Sequence, residues 1–303
     1  MILEKLEPYR DRLVSTALES TFNWYWLADG LIEAGYKAEL VNTSAVKQYA
    51  GLKHTDDRHD AFHLAHLRRL GILPTGYIIP REQRAVRDLA RKRMQLVQYR
   101  TGLLLSVQNI QQRSLGGRMS TTQIKSQNVE SIAATVSDPN VAMSLGSTQA
   151  IIISLSEEIR KIERKLLAQV RPTEEWKLLN TVWGIGKILG ATILLETGPI
   201  SRFVTVGEYA SYCRCVKADR FSNGKKKDNN NTKNGNADLS WAFIEAAQFA
   251  IRDYPIANAW YHKKLAKVHK PVIARKALAH KIARASYHVM RDGVPFKPDL
   301  LFR

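Results

Sequence analysis

Hydrophobic positions change their period along this chain, and the changes divide it into three regions. Over residues 1–80, short apolar runs alternate with helically spaced ones. Residues 13–18 (LVSTAL) form a short, β-tolerant run. Residues 23–34 (NWYWLADGLIEA) have helical spacing closed by Gly35, 37–41 (KAELV) read as a strand, and 57–70 read as a helix ended by Gly71. Strands alternating with helices predict an α/β sheet with some parallel pairing. Only two or three strands fit into so short a stretch, so the sheet is expected to lack strands at its front.

From 81 to 170 the period becomes that of a long helix. Val86, Leu89, Leu96, Leu103, Val107 and Ile110 form a heptad-compatible stripe, and Ile152, Leu155, Ile159, Ile162 and Leu166 form a second. Residues 114–147 between them are rich in Ser, Thr, Gly and Asn. The pattern predicts two long helices joined by an irregular insert, as an antiparallel hairpin or a coiled coil between subunits. Arg84, Arg87 and Arg91 share one face of the first arm. Such a row is either a solvated face or a strip of phosphate contacts.

The region from 171 to 303 reads as mainly helical. Residues 180–198 place Gly184, Gly186 and Gly190 around a sharp turn that leads into an apolar helix. With no preceding strand or acidic partner, these glycines do not make a dinucleotide fingerprint. They suit either close helix packing or a helix-hairpin-helix turn that offers backbone N–H groups to phosphate. Residues 212–216 (YCRCV) read as a strand bearing Cys213 and Cys215. Residues 217–236 (KADRFSNGKKKDNNNTKNGN) read as a flexible basic loop holding Ser222, Lys225, Lys226 and Lys227. Residues 238–251 and 274–290 read as amphipathic helices that close the domain.

Charge narrows the partners. Lys plus Arg number 46 against 28 Asp plus Glu, a formal net charge of +18 over 303 residues, which attracts a polyanion. No apolar run is long enough for a membrane span, and the N-terminus lacks a secretory signal pattern. Two cysteines make no disulfide framework or zinc motif. His59, His63 and His66 share a helix face, but with no thiolate beside them packed or solvated histidines are the better reading.

Two further features carry chemistry. Asp57 and Asp60, in HTDDRHDA, stand at i and i+3 in the first turn of a helix, and Glu19 falls just past the first strand. If strand end and helix start meet, three carboxylates share a site of the kind that holds a hard divalent ion; otherwise the aspartates only favour the helix start. Ser222 has no His or Asp neighbour at triad spacing, which excludes an ordinary serine hydrolase, although lysines follow it closely.

The runs ESTFNWYWLADGLIEAGYKAELVN, KHTDDRHDA and LRRLGILPTGYI, then GIGKILGATILLETGPISRF, SYCRCV, SNGKKK and NTKNGNADLSWAFIEAA, resemble the DEDD-type transposases of bacterial insertion sequences. These are recombinases associated with a bridging guide RNA, and they include pilin-gene invertases. The resemblance covers nearly the whole chain with its motifs in order. It implies a RuvC-like, RNase H-fold domain over 1–80, a coiled-coil linker over 81–170, and a serine transposase domain over 171–303. By position, Glu19 matches the second acidic residue, Asp57 and Asp60 the closing acidic pair, and Ser222 the nucleophilic serine, although Asn223 intervenes before Gly224. Asp56 is out of register with the pair. The family's first acidic residue lies on an opening strand in a G-x-D motif. Asp11 stands in no such motif, so the resemblance implies a truncated or mis-started copy lacking those strands and one metal ligand.

The implied function is DNA transposition or site-specific recombination. Glu19, Asp57 and Asp60 would bind Mg2+, and Ser222 would attack the DNA backbone. Arg84, Arg87, Arg91, Gly184, Gly186 and Lys225–Lys227 are the expected nucleic-acid contacts. The implied partners are DNA, a structured guide RNA and further copies of the chain, as a dimer or tetramer, in the bacterial cytoplasm and nucleoid. Three alternatives stand beside this: a catalytically inactive nucleic-acid-binding remnant, a structure-specific endonuclease, and a structural coiled-coil protein.

Overall fold

A computed structural model describes residues 1–46, 56–216, 219–222, 225–229 and 234–302, with 219–222 and 225–229 described by their main chain. The chain divides into two compact units, Met1–Arg84 and Ala85–Arg303.

In the first unit, α1 (Ile2–Leu6) and a 3-10 turn (Glu7–Arg12) precede β1 (Thr16–Glu19). The helix α2 (Trp24–Glu33) then crosses to β2 (Ala38–Val41), which lies parallel to β1 with Thr16 beside Ala38 and Glu19 beside Val41. After α3 (Thr43–Val46) and α4 (Asp57–Arg69), the short strand β3 (Thr75–Gly76) pairs antiparallel with β2, giving the order β1-β2-β3. The strand–helix–strand alternation predicted for this region is therefore present, with parallel pairing at its centre. Ala28 and Leu31 on the inner face of α2 pack with Leu18 and Tyr36. Gly35, at φ 80°, and Gly71, at φ 73°, close α2 and α4 in a conformation that costs glycine little.

The helix α5 (Arg81–Leu115) runs into the second unit. There it packs against α8 (Pro139–Val170), and α6 (Thr121–Ser126) and α7 (Val129–Ala133) lie in the connection. Ala90 lies in one cluster with Leu166, and Leu104 and Val107 in another with Leu145 and Ile152. Arg93 donates to Glu163 at 2.6 Å and Arg100 to Ser156 at 3.1 Å, so seven residues forward along α5 match seven back along α8. The two stripes thus form an antiparallel hairpin within one chain.

The connection is more regular than its composition suggests. Ser120 and Asn128 head capping boxes with Gln123 and Ser131, and Asp138 caps α8. Ile124 and Ile132 are buried in the hairpin's cluster, and buried Gln149 donates to the carbonyls of Ile124 and Gln127 at 2.8 and 2.7 Å. In the stretch read as an irregular insert, Ser120, Asn128 and Asp138 are helix caps.

Among the described residues, the rest of the second unit is helical apart from one hairpin of strands. The elements are α9 (Glu174–Leu179), α10 (Lys187–Thr197), α11 (Val206–Tyr212), β4 (Asp219–Ser222), β5 (Lys225–Asn229), α12 (Ala237–Asp253), α13 (Pro255–Val268), α14 (Pro271–Asp292) and α15 (Pro298–Leu301). Their core is built on Tyr209, Phe243 and Tyr287, with small residues such as Ala246 and Ala250 of α12 admitting close approach.

Two expectations are corrected here. Residues 212–216 are not a strand: α11 ends at Tyr212, and Arg214, at φ 52°, turns the chain back so that the Cys215 N–H donates to the Ala210 carbonyl at 3.1 Å. This turn buries Cys213 and Cys215, and alternate burial imitates a period of two. Conversely, the basic stretch read as loop contains β4 and β5, paired antiparallel with Ser222 beside Lys225.

Candidate functional site

The end of β1 and the start of α4 do meet. Glu19, Asp57 and Asp60 line one open groove of about 480 Å³, with Ser15, Thr16 and Arg68 further along its wall. Asp56, set aside on register, is occupied otherwise: its Oδ1 accepts the His59 N–H at 2.7 Å and caps α4. Capping by Asp56 turns Asp57 and Asp60 to one side of the first helical turn, where both are exposed. Arg68 does not add free positive charge to the groove, because its Nε donates to Glu39 and to Ser15 Oγ. Among the described residues no three acidic, histidine or cysteine side chains stand close enough to hold a metal ion. The groove therefore gathers carboxylates of a suitable donor type without closing them round an ion.

Two of the three arginines in the row are buried, while the Arg91 side chain stays 41% exposed. Arg84 is 4% and Arg87 8% exposed. Arg84 pairs with Asp29 and lies 4.6 Å over the ring of Tyr25. Arg91 donates from Nε and NH2 to the two carboxylate oxygens of Glu196, at 2.6 and 2.8 Å, and reaches Asp238 at 3.4 Å. A shared helix face is real, but it faces carboxylates of the fold. The reason is desolvation: a buried guanidinium is stable only where a carboxylate answers it.

The glycine turn opens α10 as expected, and its two glycines differ. Gly184 has φ 79°, and a Cβ there would lie 1.9 Å from the Ala246 carbonyl oxygen, so it serves close packing against α12. Gly186 is the N-cap of α10, exposed, with nothing within 4 Å of a Cβ. Of the pair, Gly186 stands where an outside group has room to approach.

Ser222 ends β4, with Lys225 opposite and Lys226 and Lys227 following on β5; Asn223 and Gly224 lie outside the described residues. The roots of this segment are tied. Arg214 donates from Nε and NH2 to the Gly235 carbonyl at 3.0 and 2.9 Å, and the Asn236 N–H donates to the Tyr212 carbonyl at 2.6 Å. Asn236 Nδ2 donates to Glu196 Oε2 at 2.7 Å, while its Oδ1 accepts the Leu239 N–H at 3.0 Å and caps α12. Glu196, only 1% exposed, joins this root to Arg91 of α5. Asp238 beside it is held above the ordinary carboxylate range by burial and by the charge of Glu196, against the pull of Arg91 and Arg87. Sequence reasoning missed Glu196 and Asn236. The one available signal was an asparagine directly before an apolar-periodic helix, which marks a cap and says nothing of its second bond.

Comparison with known proteins finds a likeness to one family over part of the chain. Residues 176–262, which include the glycine turn, the β4–β5 hairpin and α12, match the model of the Transposase IS116/IS110/IS902 family. The chain is 25% identical over 301 residues to a "Probable family 20 transposase" of Pseudomonas aeruginosa, covering 93% of this chain and 85% of the relative. It is 23% identical over 147 residues to the "Insertion element IS116 uncharacterized 44.8 kDa protein" of Streptomyces clavuligerus, covering 48% of this chain and 37% of the relative. A third relative, the "Putative transposase y4pF/y4sB" of Sinorhizobium fredii, is 24% identical over 292 residues, 93% of this chain and 74% of its own. By the family model and these relatives, the chain is similar to insertion-sequence transposases of the IS116/IS110/IS902 type.

Proposed function

We propose that this chain, similar to a transposase along 93% of its length, cuts and rejoins DNA as the recombinase of an insertion sequence, with Ser222 as nucleophile. The observation that carries the reading is the coincidence of the family match over 176–262 with the basic hairpin in which Ser222 pairs with Lys225. The formal charge of +18 supports a polyanionic substrate, since neutralising phosphates is the main source of affinity for nucleic acid. Among the described residues no helix is long and apolar enough to cross a membrane.

The chemistry is a two-step transfer. Ser222 Oγ bonds to a backbone phosphorus as the bond from phosphorus to one sugar oxygen breaks; the serine hydroxyl loses its proton and the departing sugar oxygen gains one. A sugar hydroxyl of the second DNA end then attacks the phosphoserine, losing its proton while the serine oxygen leaves and regains one. Because the phosphodiester is exchanged for another ester, rejoining needs no nucleotide energy source. Lys225, Lys226 and Lys227 supply the positive charge that the crowded phosphate requires. Glu19, Asp57 and Asp60 are the residues assigned to Mg2+, which would neutralise phosphate charge when bound; their present spacing is open. A structured guide RNA and a dimer or tetramer that holds two DNA ends belong to the same proposal, as does a place at the bacterial nucleoid.

The test uses the whole chain with Mg2+, DNA bearing the element ends, and its flanking transcript. A covalent protein–DNA adduct on a denaturing gel that disappears in Ser222→Ala is the expected result. Nicking that survives Ser222→Ala would overturn the serine step in favour of an endonuclease. Salt-sensitive binding with no adduct would instead identify a non-catalytic binding protein.

A further inference from the structure

We propose that Asn236, held by Glu196 and Arg91, is a positioning residue that sets Ser222 for attack and couples it to the long helix α5. The inference rests on the reading of Ser222 as nucleophile and adds to it the means by which that serine is placed.

The segment 216–233 carries Ser222, and its two roots are brought together by bonds from both sides. The Arg214 guanidinium grips the Gly235 carbonyl, and the Asn236 N–H meets the Tyr212 carbonyl. Gly235, at φ 90°, permits this approach, since a Cβ there would lie 2.5 Å from the Tyr212 oxygen. These bonds join the roots to each other. The Asn236 side chain then joins them to a charged group of the surrounding fold: its Nδ2 donates to Glu196 Oε2 at 2.7 Å. Glu196 is the penultimate residue of α10, almost wholly buried, and its charge is answered by the Nε and NH2 of Arg91.

Three elements distant in sequence thus meet at one carboxylate. Glu196 is 1% exposed and receives three donor contacts, and the Asn236 bond to it is buried, so losing that bond leaves polar atoms with no water to replace it. Asn236 is also fixed from the other side, where its Oδ1 caps α12. A displacement of α5 at Arg91 is therefore passed to the root of the serine segment by two short, charge-assisted or buried bonds. Nucleophilic attack is sensitive to placement, and a misplacement of about 1 Å costs on the order of a hundredfold in rate.

The amide and the carboxylate allow a test by exchange of partners. Asn236→Asp keeps the cap on α12 but sets a carboxylate against Glu196. Glu196→Gln keeps the shape, and an amide oxygen at the Oε2 position still accepts from Asn236 and from Arg91 NH2, while its amide nitrogen faces Arg91 Nε and gives up that one bond. Together the two substitutions restore the pairing with donor and acceptor reversed: the amide now at position 196 donates to the carboxylate now at position 236, and its oxygen accepts from Arg91.

The experiment measures the rate of Ser222–DNA adduct formation at saturating DNA for the whole chain, with DNA affinity and amide hydrogen exchange at 212–216 and 234–236. In Asn236→Asp the adduct rate should fall roughly 10- to 100-fold, with affinity unchanged and exchange faster at both roots. The double variant should recover most of the rate and the protection. An unaltered rate in Asn236→Asp, or a double variant no faster than the single one, overturns the proposal. Should Asn236→Asp fail to fold, Asn236→Ser, which keeps a side-chain cap for α12 and removes the amide donor to Glu196, carries the same measurements, and an unaltered rate there also overturns the proposal. If the unaltered chain forms no adduct, or the adduct survives Ser222→Ala, it is the serine reading that fails. Exchange at the two roots then still decides whether Asn236 holds them.

Discussion

Replacing Gly184 by alanine separates the two glycines that a phosphate-binding turn would treat alike. The added Cβ would lie 1.9 Å from the Ala246 carbonyl oxygen and 2.9 Å from both the Ala246 carbonyl carbon and the Ala250 nitrogen. All of these are backbone atoms of α12, so no side chain can swing aside, and the helices must separate. Overpacking of this kind costs about 1–3 kcal/mol. The φ of 79° adds roughly 1–2 kcal/mol for placing a Cβ in the left-handed region. The sum, about 2–5 kcal/mol, corresponds to a fall of roughly 5–20 °C in Tm for a unit of this size. Gly186→Ala, with open space around it and φ −90°, should cost no more than about 1 kcal/mol, the N-cap preference for Gly over Ala. Thermal and urea unfolding of the two variants beside the parent chain make the comparison. A Gly184→Ala chain that unfolds with the parent would refute the close contact between the turn and α12. A large loss in Gly186→Ala would refute the freedom assigned to the start of α10.

Two further outcomes follow from burial. Arg84→Ala should lower the stability of the first unit by about 3 kcal/mol, since Asp29 loses its partner; it should leave the slope of DNA affinity against salt unchanged, and a shallower slope would restore Arg84 to the phosphate-contacting surface. Neither cysteine should react with a thiol reagent at about pH 8, near the ordinary thiol pKa, until the chain unfolds: burial pushes the Cys215 thiol up to about 12 and Cys213 well above its ordinary value, so the thiolate is scarce and covered. Rapid stoichiometric labelling of the native chain would contradict the turn that buries them.

What sequence could and could not reveal follows from the range of the interactions. The stripes through Val86 and Ile152 are local and periodic, and they foretold both arms of the hairpin. Local pattern placed Glu19 at the end of a strand and Asp57 and Asp60 in the first turn of a helix, and these three residues line one groove. The arginine row was legible as a row, but not its direction. Its partners lie far along the chain, 55 residues away for Arg84–Asp29 and 105 for Arg91–Glu196, and periodicity does not carry so far. Cys213 and Cys215 misled because a tight turn and a strand can share a two-residue period. Strands β4 and β5 were hidden by Asn and Lys, which are poor strand formers, and are formed by pairing with each other.

The matched steps along α5 and α8 also restrict how this protein can change length. An α-helix turns about 100° per residue, so one inserted residue in either arm would rotate every later side chain off the shared seam. Arg93 and Glu163, then Arg100 and Ser156, would part together rather than one at a time. Lengthening is tolerated only when both arms gain the same whole number of heptads, opposite one another. Related chains should therefore differ in the length of this arm by paired blocks, about 10 Å of added reach per seven residues in each helix, while single-residue insertions and deletions gather in the connection between 116 and 138.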